Sequence, residues 1–132
     1  MRTHTSDRNR PDRSAETPAH IVAALADHDA AYRNAADLPH TTDAERATRA
    51  DRLALVVARR AAWWGVLSTW TYLHSDKGAV YGRAAMIARA AEWDRARFWR
   101  DTAADWRARA ERRPTSDAAG ALSNWHELGV SA

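Results

Sequence analysis

Apolar and polar positions along the chain fall into long stretches with helical spacing, separated by short breaks and preceded by a polar N-terminal segment. The first stretch starts near Thr17. Thr17 is the expected N-cap, and Pro18 takes the first helical position, where its missing N–H costs nothing. Ile21, Val22, Leu25, His28, Tyr32 and Ala36 then recur along one face. Asp37-Leu38-Pro39 ends this helix, because proline disfavours the helical conformation in the residue before it.

Thr42-Asp43-Ala44-Glu45 has the form of a capping box and starts a second helix that meets no breaker before about His74. Leu53, Val56, Val57, Trp63, Trp64, Leu67, Trp70, Thr71 and His74 share one broad sector. Leu55, Ala62, Val66 and Leu73 lie on the far side, so the C-terminal half is apolar nearly all round and is the expected central element. Ser75-Asp76-Lys77-Gly78 reads as a turn short enough to send the next helix back antiparallel. The third helix is expected over about Ala79 to Arg112. Its main stripe is Val80, Tyr81, Ala84, Ile87, Ala88, Ala91, Phe98, Trp99, Thr102 and Trp106. A thinner stripe holds Met86, Ala90, Trp93 and Ala104.

A short fourth helix is expected from Ser116 to Glu127, with Leu122, Trp125 and Leu128 inward and Gly129 as its stop. Residues 1–16 are polar and mixed in charge, the pattern of a disordered tail. The reading is therefore an all-α domain over residues 17–132: a long antiparallel helical hairpin flanked by two shorter helices in a small bundle.

Composition changes this picture in two ways. Much of the apolar content is alanine, which buries little area, so the seven tryptophans are the expected weight of the core. Trp93 stands apart, about 120–140° from Trp99 and Trp106 around the third helix. It is expected to pack under the first or last helix, or else to mark a contact surface. The absence of cysteine excludes disulfides and thiolate metal sites. The apolar run from Ala61 to Leu73 is shorter than the ~20 residues of a membrane span, and no secretory signal opens the chain, so a cytoplasmic protein without membrane contact is expected.

Charge is uneven. Fifteen basic and nine acidic residues lie between Thr41 and Arg113, against a net charge of +3 for the whole chain. Arg89, Arg100 and Arg107 line up within about 20° on the third helix, and with Arg97 they are candidate phosphate contacts. Interleaved acids favour a solvated, ion-paired face instead: Asp101 and Asp105 stand four residues from Arg97 and Arg109.

Chemical signatures are sparse. No two of the six histidines are spaced three or four apart, no Glu-x-x-His occurs, and the five glycines form no phosphate loop. No metal, cofactor or catalysis is therefore expected. His74, Asp76, Tyr72 and Tyr81 at the hairpin tip are the best place for an enzymatic site, without a spacing that fixes one. The sequence points to a non-enzymatic interaction protein that presents a helical face to a protein partner or a second copy. Trp93, Met86, Phe98 and Trp106 are the candidate interface, and a second copy is expected to pack where Leu53 to Val57 faces Phe98 to Trp106. The alternative is a basic nucleic-acid-associated protein that grips the phosphate backbone without sequence specificity.

Overall fold

A computed structural model describes residues 16–117. The expected tail lies almost wholly outside these residues, as does the body of the expected fourth helix. Three helices make up the described fold: α1 (Ala19–Ala36), α2 (Asp43–His74) and α3 (Gly78–Ala110). None of them is long and apolar enough to cross a membrane.

The starts and stops have local causes. Pro18, rather than Thr17, caps α1, and no side chain accepts from the first turn. At α2 the capping box forms as the sequence suggests. Thr42 Oγ accepts from the Glu45 N–H at 3.1 Å, and Glu45 Oε2 accepts from the Thr42 N–H at 3.2 Å. The same carboxylate accepts the Thr41 hydroxyl at 2.6 Å. That bond, with the backbone N–H groups of Thr42 and Thr41, holds the Glu45 carboxyl below its ordinary pKa. At the far end of α3, Arg112 adopts a left-handed φ of 56° and the Arg113 N–H reaches back to the Ala108 carbonyl at 2.7 Å. The chain then turns onto α3 itself: the Ser116 N–H and hydroxyl both bond the Asp105 carboxylate at 2.9 Å. The backbone bond is the larger cause of a lowered Asp105 pKa.

α2 and α3 form the expected antiparallel hairpin, with Asp51 paired to Arg107, Arg60 to Glu92, and Ser68 bonded to the Gly82 carbonyl at 2.9 Å. The packing face of α3 differs from the one its large residues suggest. Gly78, Gly82, Ala85, Ala96 and Ala103 are its buried positions along α2. Val80, Ile87 and Phe98, assigned inward from the sequence, are 68%, 62% and 60% exposed. Small residues win this face because they let two helix backbones approach closely along their whole length. At the tip the approach is closest: a Cβ on Gly78 would lie 2.7 Å from the Thr71 carbonyl oxygen.

α1 runs antiparallel to α2 on another side. Arg49 Nε donates to the Ala36 carbonyl at 2.8 Å, and His20 meets Trp63 edge-on with ring centroids 6.3 Å apart. The core lies where all three helices overlap, with Ile21, Leu53 and Val57 as its largest fully buried side chains. The centre of α2 is therefore its most buried part, and not its C-terminal half, where Val66 and Leu73 are exposed. None of the six described tryptophans is fully buried.

α2 passes through Gly65 as one continuous helix. A Cβ there would make ordinary contact, 3.4 Å, with the flexible Arg89 side chain. Gly65→Ala is expected to stabilise the fold by about 0.5–1 kcal/mol, by removing the entropic cost of a mid-helix glycine. A thermal melt checks it; a lowered midpoint would mean that Arg89 cannot move aside.

Candidate interaction surface

Two features stand out above the general packing. One is ionic and internal, the other apolar and external.

The ionic feature centres on Arg60, which falls inside the buried sector of α2. Its guanidinium donates to Asp29 of α1 at 2.8 Å and to both carboxylate oxygens of Glu92 of α3 at 3.0 and 3.1 Å. It also lies over the Tyr32 ring, 5.2 Å from the centroid. Its side chain is 11% exposed and that of Glu92 is 13%. One residue thus ties three helices together. Each charge in this group meets its opposite, the arrangement of a structural node. A sequence signal for it existed: an arginine three and four residues after Val57 and Val56, in the middle of the α2 apolar sector.

The apolar feature follows from the unequal helix lengths. α1 has 18 residues and α2 has 32, so α1 reaches only as far as Trp63, and among the described residues no third helix covers the tip of the hairpin. Val66, Tyr72 and Leu73 of α2 and Val80, Tyr81, Met86 and Ile87 of α3 are all exposed there. Two open grooves run through this region. One, of about 590 Å³, passes from His20 to Leu73 and His74. The other, of about 680 Å³, lies between Thr17, Trp64, Trp70, Tyr81 and Ala84.

The residues singled out from the sequence scatter across this frame. Met86 and Trp93, seven residues apart, share a face and are 52% and 42% exposed, so Trp93 is not packed beneath α1. Phe98 points from a different side. Trp106 is half-buried between Arg46 and Arg109, whose guanidinium carbons lie 4.6 and 4.7 Å from its ring. The expected dock for a second copy is displaced: Leu53, Val56 and Val57 are covered by the chain's own helices, and the open end is the tip.

Of the candidate phosphate contacts, Arg97 is paired with Asp94, Arg107 with Asp51, and Arg100 with Asp101 at 3.8 Å. Arg89 lies along Gly65 and lines the smaller groove. At the tip, the His74 ring stacks on Trp70 at 5.2 Å, with Nδ1 against the Trp70 carbonyl at 3.0 Å. The Tyr72 ring lies over Gly82, where an added Cβ would come within 2.7 Å of it. Among the described residues no group of three His, Asp or Glu is placed to hold a metal ion. No family model, curated protein or solved structure matches this chain.

Proposed function

We propose that the protein is a non-enzymatic helical interaction protein that binds a protein partner or a second copy of itself through the uncovered half of its hairpin. One observation carries this reading: α3 turns alanine and glycine inward while Val80, Tyr81, Met86, Ile87 and Phe98 stand exposed, so burial of Val80, Ile87 and their neighbours requires a surface from outside the described fold. Exposed apolar residues scattered singly need no explanation, but a contiguous group on two adjacent helices is the mark of a contact surface. The nucleic-acid alternative has less support, because carboxylates already answer three of its four arginines.

Solution mass by light scattering, at two salt concentrations and with and without a short DNA duplex, tests the choice. The expected result is a mass above the 14.7 kDa of one chain, or a monomer that takes up a protein partner, indifferent to the duplex in either case. A monomer that shifts onto the duplex only at low salt would overturn this reading in favour of phosphate binding.

A further inference from the structure

We infer that the outward face of α3 is a self-complementary dimer surface on which a second copy of the chain packs antiparallel, α3 against α3. The inference rests on the interaction reading above and names its partner.

At about 100° per residue, Val80, Ala84, Ile87, Ala91 and Phe98 fall within about 60° of one another, on the exposed side of α3, with Ala84 at the edge of the groove against α2. Their spacing alternates four and three over the first four positions, the repeat that keeps a seam between two helices. All five are exposed. A two-fold axis at the level of Arg89 sets Val80 beside the second copy's Phe98. It also sets Ile87 against the second copy's Ala91, a large residue opposite a small one. A two-fold interface needs such a surface to fit itself.

Charge makes the choice of a second copy specific. In an antiparallel pair related by a two-fold axis, like flanks of the two helices meet. On one flank stand Arg83 and Asp94, both exposed, with Asp94 also paired to Arg97 of its own helix. The same axis brings Arg83 to the second copy's Asp94, and does so twice. On the other flank Arg95, its side chain 51% exposed, comes within about 3 Å along the axis of the second copy's Tyr81, a residue 55% exposed. A parallel pair brings opposite flanks together at equal heights, so Arg83 and the second copy's Asp94 would stand about 16 Å apart along the axis and would not meet.

Sedimentation of the full chain over a range of concentrations tests the inference. A dimer is expected, and Ile87→Glu should weaken it about thirtyfold or more, the loss typical of a central anchor. Because Ile87 lies outside the core, the variant should melt with the wild type at concentrations where both are monomeric. Arg83→Asp and Asp94→Arg should each weaken the dimer, and their combination should restore it. A dimer indifferent to all of these changes would overturn the α3 seam while leaving the interaction reading intact. A strict monomer would overturn it too. If amides in residues 118–128 exchange slowly in such a monomer, the face belongs to the chain's own C-terminal segment.

Discussion

Arg60→Leu is expected to destabilise the protein by about 3–5 kcal/mol, a large part of the ~5–15 kcal/mol that holds a domain of this size together. The cost does not come from losing attraction as such. Two charges taken out of water sacrifice hydration, and their mutual attraction offsets this only while both are present. Without the guanidinium, the Glu92 carboxylate stays at 13% exposure, with Arg95 at 3.5 Å as its remaining cation. Asp29 is different: its side chain is 57% exposed and recovers water when Arg60 leaves. Asp29→Asn should therefore cost under about 1 kcal/mol, in the range of surface pairs. Arg60→Lys should not rescue, because one ammonium cannot reproduce the planar fork that grips both oxygens of Glu92. The double variant Arg60→Leu, Glu92→Leu should recover most of the loss, since no charge is then left unpaired. Urea unfolding midpoints measure all four. If Arg60→Leu falls within about 1 kcal/mol of the wild type, the node is not what joins the three helices.

The parts of the fold that were legible in the sequence are those written in local chemistry. The Thr42–Glu45 box gives its own geometry away, because each partner satisfies an orphan N–H three residues from itself. The α2 stripe was legible for the same kind of reason: Leu53, Val56 and Val57 repeat at helical spacing and are indeed buried. The start of α1 was less so, since Thr17 and Pro18 both suit an N-terminus and only the chain's path decides between them. What could not be read locally was which face of α3 meets α2. Periodicity shows that residues share a face, and Val80, Ile87 and Phe98 do share one. It does not show that the face with the larger residues is the inner one. That depends on how closely the backbones approach, a property of the pair of helices. Arg60 escaped for a related reason: a charge in an apolar sector is acceptable only if other helices bring the carboxylates, and Asp29 and Glu92 lie more than thirty residues away on either side. The candidate interface shared this fate. Met86 and Trp93 kept their common face, whereas Phe98 and Trp106 belong to separate surroundings.

The α3 packing can be tested by moving one large ring across the helix. Ala103→Phe is expected to cost about 3 kcal/mol, the upper end of what overpacking usually exacts. At concentrations where the chain is monomeric, Phe98→Ala should change stability by no more than about 0.5 kcal/mol, as for an ordinary surface position. Ala103 is 0% exposed, on the line where Gly82, Ala85 and Ala96 also meet α2. A phenyl group there has no cavity to enter, so it must push the helices apart or twist out of a favoured rotamer. Separation of the helices would reach the neighbouring Asp51–Arg107 pair, which spans the same part of the hairpin. Phe98 stands on the other side, 60% exposed, and its ring meets Trp99 edge-on, with centroids 5.2 Å apart. If large residues faced inward, the order would reverse: Phe98→Ala would open a cavity worth about 3–5 kcal/mol, and Ala103→Phe would be tolerated on the surface. Thermal melts of the two single variants separate these arrangements, and the sign of the difference decides which face of α3 is left for a partner.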